Sequence, residues 1–456
     1  MSADGGSPGT PPWPEAEVRR ALGLGASQGS VTFSEISTDS RSIRPGALFV
    51  ALVGERFDGH DYLEAAARAG AAGAVVRRGT APVRGLRLLE VADTLHAYGD
   101  LATARRRTLT GPVVAVTGNN GKTTTKEMVA AVLGTRYRCH ATRANNNNLV
   151  GVPLTILEAP ADTEALVVEA GANLPGELPR YREIIEPSIT VATNATAGHL
   201  EGYGTLEAIV ADTVALTAGV PLAVVGVEPP ELASGARRVA RHVISVGWAG
   251  ADRVPEGVTL DSRARPSMRL GGRTLRLPLP GRHQALNALF AWTVGEALGV
   301  DPDAAASALE RVTVPSGRSE LRQEGGLTIL NDSYNANPHS FHAAIATARE
   351  LGRGRRLVFV AGTMRELGTD SERLHAEVAK ALVDLNPDVL GGVGDFAPAL
   401  APYAGALGDR LVTAADAPGI APLIAARLDG TEVVVLKASR GVALERILPT
   451  ILAKAR

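Results

Sequence analysis

The segment "VVAVTGNNGKTTTKEMVAAVL" (113–133) does more than any other to limit what this chain can fold into. An apolar strand-like run enters a loop with two glycines, and the loop enters a helical pattern. Glycines 118 and 121 let the backbone turn its N–H groups toward one anion, and the following helix offers its N-terminus to the same anion. Lys122 is placed to reach the outer phosphates of a nucleotide, and the Thr123 hydroxyl to ligate Mg²⁺. The usual pattern is G-x-x-x-x-G-K-[ST]; Val116 stands at its first glycine, so the strict form fails. A glycine-rich turn with a surface lysine is the bland alternative. The order strand, loop, amphipathic helix favours the phosphate.

A chain of 456 residues has room for roughly three domains of about 150 residues each. Residues 1–15 are expected to be disordered. Residues 16–108 mix short strands with a helix. There "ALFVAL" (47–52) follows a turn at Pro45-Gly46 and reads as a buried strand, and "DYLEAAARAGAAGAVVRR" (61–78) as a helix, then a strand. Residues 109–315 continue with "EALVVEAGAN" (164–173) and "ITVATNAT" (189–196), each followed by a helical pattern. Residues 316–456 repeat the rhythm through "LTILNDSYN", "RRLVFVAGTM", "DVLGGVGD" and "EVVVLKASRG". Such alternation predicts an α/β protein with mostly parallel sheets and crossover helices.

Composition excludes several functions. Lys+Arg is 47 against Asp+Glu 48, which gives no general reason to expect nucleic acid or membrane as a partner. Cys139 is the sole cysteine, so neither an intrachain disulfide nor a cysteine metal cluster is possible. The N-terminal stretch has no apolar core of signal-peptide length, and no run of 18 apolar residues occurs. The chain reads as cytoplasmic.

Further motifs make the reading specific. "TGNNGKTTTKE" together with "RANNNNLVGVPLT" resembles the Mur ligases, the ATP-dependent amino-acid and peptide ligases of bacterial cell-wall synthesis. The resemblance runs from about residue 31 to the end. "STDSRSIRPGALFVALVGERFDGHDYLEAAARAGAAGAVV" looks like their UDP-sugar-binding first domain. "EAGANLPGEL", "NATAGHLEGYGT", "GRHQALNAL" and "VPSGRSE" look like the central ATPase domain. "NDSYNANPHS", "GTMRELG" and "LKASRG" look like the third domain. The resemblance implies a UDP-substrate-binding α/β domain (16–108), a central P-loop ATPase domain on a mostly parallel sheet (109–315) and a Rossmann-like ligase domain (316–456). "DSYNANP" is the form typical of the branch that joins D-alanyl-D-alanine to UDP-N-acetylmuramoyl-tripeptide. The substrates implied are therefore ATP, that UDP-tripeptide and D-alanyl-D-alanine, with Mg²⁺ as cofactor and a monomer as the default state.

The same resemblance assigns roles residue by residue. Thr117, Gly118, Asn119, Asn120, Gly121, Lys122, Thr123 and Thr124 would hold ATP, with Asn287 facing the adenine and Arg318 and Asp332 reaching the nucleotide from the third domain. Glu169 would ligate Mg²⁺ with Thr123, and His199 would be a second metal ligand. From the residue alone, Glu169 at a strand end is equally a helix cap or surface charge, and a lone histidine in a Gly-rich loop is usually polar surface. Asn145, Asn147 and Asn148 match a G-N-x-N-N pattern, with Ala144 at the glycine. Uncharged amides can orient the substrate carboxylate without repelling phosphate or metal; a polar turn is the alternative. Ser37, Asp39, Ser40 and Arg41 resemble the uridine-nucleotide loop, though such clusters are usually just turns. Tyr334, Asn335 and Asn337 sit where the dipeptide would be met. His283 and Asn287 open an amphipathic helix. Lys437, Ser439 and Arg440 follow a strand and could lie at the domain interface.

Two positions depart from the family pattern. Most members carry a carbamylated lysine that helps hold the second Mg²⁺; counting from His199, that position is Thr213, and no lysine occurs between Lys126 and Lys380. Thr363 stands where an acidic residue commonly precedes the Met of "GTMRELG". The first departure puts the second metal in doubt. It also keeps open a related amide ligase with another acyl or amine partner, or a nucleotide-binding pseudo-ligase.

Overall fold

Leu48–Val50 is a strand with every side chain buried, and it sits at the centre of the first domain. The computed structural model describes residues 10–26, 31–54, 56–198 and 200–454. Expected disorder in residues 1–9 lies outside these. Order begins before residue 16, however: Trp13 and Pro14 pair with Phe33 and Thr32, and the Trp13 ring is buried. The chain divides into two compact units.

The first unit comprises residues up to 116, 136–172 and 176–189. Its N-terminal sheet has the order Ile36–Ser37, Leu48–Val50, Gly73–Arg77, Arg87–Val91, parallel throughout. The helix Leu63–Arg68 precedes Gly73–Arg77, so the 61–78 segment forms the expected helix, then strand. The helix Thr94–Arg106 starts where Asp93 accepts from the main-chain N–H of Leu95 and His96. Its far end is tied down by Arg106, which donates to the carbonyls of Ile185 and Glu186 at 2.7 and 2.8 Å. Three more parallel strands follow, in the order Cys139–Ala141, Ala165–Glu169, Val113–Thr117.

The second unit comprises 117–135, 173–175 and 190 onward. Leu222–Gly226 and Val243–Val246 pair in parallel. A small antiparallel sheet follows, Glu256–Leu260, Pro266–Leu270 and Arg273–Arg276. The helix Gln284–Ala297 is not amphipathic as expected: Gln284, Ala285 and Asn287 through Gly295 are all buried. It is covered by the helices Lys122–Leu133 and Pro302–Leu309 and by neighbouring strands, which leaves only its C-terminal end, Glu296 and Ala297, exposed. The C-terminal sheet has the order Glu320–Glu324, Leu327–Asp332, Val433–Lys437, Leu357–Gly362, Val389–Val393, Leu411–Ala414. Only its first pair is antiparallel. One face is packed around Phe341, Phe359 and Phe396, the other around Ile420, Ile424 and Ile447. This is a doubly wound sheet, and its loops at the carboxyl ends of the strands form the crevice where such folds place ligands.

Candidate functional site

The phosphate-type loop joins the strand Val113–Thr117 to the helix Lys122–Leu133. Gly118 and Gly121 have φ of 123° and 79°, in the region where a Cβ is strained. Neighbours close both positions as well. A Cβ at Gly118 would come within 2.2 Å of Thr193 Oγ1, and one at Gly121 within 2.6 Å of Asn287 Oδ1. Lys122 is the first residue of the helix, half-buried, and donates from Nζ to the Gly118 carbonyl at 2.6 Å. Thr123 and Thr124 are buried beside it in the first turn.

Asn119 and Asn120 brace the loop from within. Asn119 Oδ1 accepts from the Thr196 N–H, and its Nδ2 donates to the Gly198 carbonyl. Asn120 Nδ2 donates to Thr196 Oγ1, and its carbonyl accepts from Thr193 Oγ1 and Asn194 Nδ2. The Thr117 carbonyl accepts from Thr193 too. Thr193, Asn194 and Thr196 were missed by residue-level reading. Their signal was the polar "TNAT" placed directly after a buried strand. Asn287 donates to Gln284 Oε1 and accepts from Thr125 Oγ1, which sets its amide against Gly121.

Within the first unit, the asparagine run and the strand-end carboxylate meet. Asn147 Nδ2 donates to Glu169 Oε1 at 2.8 Å. Glu169 is fully buried, and its N–H donates to Thr142 Oγ1, another residue that the sequence did not flag. Asn148 Oδ1 accepts from the N–H groups of Val150 and Gly151, starting the helix Gly151–Leu157. Asn145 is exposed. Ala144, at the glycine of the pattern, has φ of 51°, so this turn demands the left-handed conformation that glycine adopts most cheaply. On the first-domain loop, Asp39 accepts from Arg41 Nε and Nη2 at 2.8 Å each, and Arg41 holds its carboxyl down to about 2. Ser37 Oγ accepts from the Asp39 N–H, and Ser40 is half-buried in the same turn.

The third domain gathers its own cluster. The Arg318 guanidinium lies 4.0 Å over the Tyr334 ring. Asp332 accepts from the Ser319 N–H and pairs at 2.8 Å with the buried Lys437, which also donates to the Asn335 carbonyl. Arg440 approaches Tyr334 from farther out. Ser439 Oγ accepts from the Arg365 N–H. Asn335 is exposed; Asn337 is buried and caps the helix Pro338–Leu351. His283 lies near Asp332, His339 and Lys437, and burial pushes its imidazole down to about 4. A cavity of 1220 Å³ opens at the strand ends, lined by Arg365, Glu366, Asp395 and Asp416 among others. At its wall Thr363 Oγ1 accepts from the Asp395 N–H, a role that needs no acid.

His199 lies outside the described residues. Thr213 is buried on the helix Leu206–Leu216, with its hydroxyl donated to the Ile209 carbonyl at 2.7 Å. Its neighbour Asp212 accepts from the Tyr203 hydroxyl. Among the described residues no cluster of three His, Cys, Asp or Glu side chains is arranged to hold a metal, and no helix is long and apolar enough to cross a membrane.

Comparison with known proteins matches three segments of the chain to family domains. Residues 32–106 match the Mur ligase family catalytic domain, 116–295 the Mur ligase middle domain, and 317–448 the Mur ligase glutamate ligase domain. The UDP-N-acetylmuramoyl-tripeptide–D-alanyl-D-alanine ligase of Bacillus subtilis is 33% identical over 425 residues, covering 91% of this chain and 92% of its own. The Escherichia coli protein of that name is 34% identical over 387 residues, covering 82% and 84%. Among solved structures, MurF from Acinetobacter baumannii superposes with a TM-score of 0.88 at 28% identity, over 98% of this chain and all of that one. MurF from Thermotoga maritima in complex with ADP gives 0.81 at 28% identity, over 92% and 97%.

Proposed function

The chain belongs to the Mur ligase family, and from that premise we propose that it joins D-alanyl-D-alanine to UDP-N-acetylmuramoyl-tripeptide in an ATP-dependent, ADP-forming reaction of peptidoglycan synthesis. Its relatives carry this reaction in their names at about a third identity over most of the chain. A carboxylate is a poor electrophile. Transfer of the γ-phosphoryl of ATP to the terminal carboxylate of the tripeptide gives an acyl phosphate and ADP. The dipeptide amine attacks the acyl carbon, and the tetrahedral intermediate expels phosphate as the amide forms. Such a site needs phosphate clamps and tight positioning of three reactants.

The observation that carries the reading is the loop at 117–124. Two glycines there take positive-φ geometry that would strain any other residue, and they leave no room for a Cβ, as suits a cradle for phosphate. Lys122 exchanges its bond to the Gly118 carbonyl for the outer phosphates, and Asn287 flanks the nucleotide. Arg318 and Asp332 meet ATP from the third domain, and Tyr334 and Asn335 meet the dipeptide. Ser37, Asp39, Ser40 and Arg41 take the uridine end of the other substrate. Asn145, Asn147 and Asn148 attend its carboxylate end.

The oxygen donors Thr123 and Glu169 suit a hard cation such as Mg²⁺, and the buried Glu169, oriented by Asn147, has the chemistry of a ligand. Held there, Mg²⁺ would supply positive charge against the phosphates of ATP. His199 is proposed as a further ligand. The domains run 16–108, 109–315 and 316–456, and the enzyme works in the cytoplasm as a monomer.

The test is ADP release by the purified protein with UDP-N-acetylmuramoyl-tripeptide, with and without D-alanyl-D-alanine. Sustained ADP release that requires both substrates supports the reading. Release independent of the dipeptide, or none, overturns it.

A further inference from the structure

Asn337 sits in the segment matched to the glutamate ligase domain, yet its side chain bonds to the phosphate loop of the middle domain. Its Nδ2 donates to Asn120 Oδ1 at 2.9 Å, across 217 residues of sequence. The direction of this amide is set locally. Oδ1 accepts from the Ser340 N–H and the Ser340 hydroxyl accepts from the Asn337 N–H, a reciprocal cap on the helix Pro338–Leu351. With Oδ1 held there, Nδ2 has Asn120 as its partner.

Asn120 is the most heavily bonded residue of the loop. Its N–H donates to Asn194 Oδ1, its carbonyl accepts from Thr193 and Asn194, and its Nδ2 donates to Thr196. Those four bonds come from one segment, residues 193–196. The fifth comes from Asn337, which is buried and lies just past Tyr334 and Asn335. Gly198 presses on the same point, since a Cβ there would stand 3.2 Å from the side-chain nitrogens of both Asn119 and Asn337.

We infer that Asn337 is a positioning residue: through Asn120 it holds the phosphate loop in its nucleotide-binding shape, and so ties ATP affinity to the third-domain turn that carries Tyr334 and Asn335. The inference rests on the ligase reading for its meaning, but its decisive measurement does not.

Asn337→Ser keeps a capping hydroxyl for the Ser340 N–H and is too short to reach Asn120. Asn337→Thr is a second variant of the same kind, and Asn120→Ala removes the other partner. Calorimetric titration with a non-hydrolysable ATP analogue and Mg²⁺ gives affinity without turnover. Steady-state kinetics give the Michaelis constants of all three substrates. A lost neutral hydrogen bond predicts analogue binding roughly 5- to 10-fold weaker in Asn337→Ser. KM for ATP rises to match, and KM for the UDP-tripeptide and the dipeptide stays as in wild type. The Asn120→Ala/Asn337→Ser double variant is no weaker than Asn120→Ala alone. Wild-type analogue affinity in a folded Asn337→Ser protein overturns the inference. So do losses that multiply in the double variant, or a rise confined to KM for the dipeptide, which would make Asn337 a direct ligand. The titration decides the matter even if the acyl acceptor proves to be another amine.

Discussion

Two loops of this molecule, both read as ligand loops, are held in opposite ways. The proposed phosphate loop at 117–121 is braced by hydrogen bonds with residues 193–198 and Asn337, and by neighbours that exclude a Cβ at its glycines. The first-domain loop at 37–41 is held by itself: Asp39 grips Arg41 two residues on, and the Arg41 side chain is 88% exposed. Distant residues determine the shape of the first loop, while adjacent ones determine the second. Substitutions in the first should therefore damage both binding and stability unless they touch only the ligand side. Those in the second should touch binding alone.

The largest effect belongs to Lys122→Ala. Turnover measured by ADP release should fall at least about 100-fold, the usual worth of an electrostatic contact to a transferring phosphoryl group. Lys122 is the half-buried first residue of a helix, and its amine donates to the loop carbonyls of Gly118 and Asn119. Alanine is a good helix former, so the melting temperature should barely move. Near-normal turnover in the folded variant would remove the phosphate assignment. Gly118→Ala strikes the same loop from its closed side. The new Cβ would meet Thr193 and Asn194, so the variant should lose about 1–3 kcal/mol of stability and its thermal protection by ATP. Retained protection would mean that the loop is less closed than its contacts imply.

His283, at the head of a central-domain helix, should give a pH signature. His283 is neutral in the fold because burial lowers its imidazole to about 4, and an unfolded chain titrates near 6.5. Between those values the unfolded state binds the extra proton. The stability from a neutral His283 is thus complete above about 6.5 and is lost as pH falls toward 4, by at most about 3 kcal/mol. Urea melts of wild type and His283→Gln across that range should show a flatter pH profile in the variant. Parallel profiles would place the acid sensitivity elsewhere.

Asp39→Asn tests the self-held loop. The melting temperature should be unchanged without ligand, since an exposed pair contributes little. Protection by UDP-N-acetylmuramoyl-tripeptide should shrink. Full protection in the variant would take the loop out of substrate binding. The smallest expected effect is none at all. Thr213 has its hydroxyl bonded to the helix backbone and no amine to take up CO₂, so removing and restoring bicarbonate across a Mg²⁺ titration should leave the rate unchanged. Rescue by bicarbonate would reveal an activating group elsewhere.

Local chemistry was legible in the residues themselves. Glycines before a lysine, after an apolar strand, announce a tight strand-to-helix loop, because the turn, the donors and the helix start are all contiguous in the chain. The Asp39–Arg41 turn and the alternation of strands and helices were legible for the same reason. The exposed face expected of the helix Gln284–Ala297 was not there, since burial depends on two helices and several strands that periodicity along one segment cannot see. The asparagine run was readable as polar and uncharged. That Asn147 orients Glu169 while Asn148 turns the chain into the next helix through the Val150 and Gly151 N–H groups was decided by packing. Most of all, only the tertiary structure could make Thr193, Asn194 and Asn337 part of the phosphate loop. A hydrogen bond acts over about 3 Å and records nothing of sequence separation, so these partners leave no periodic or motif signal near the glycines they hold in place.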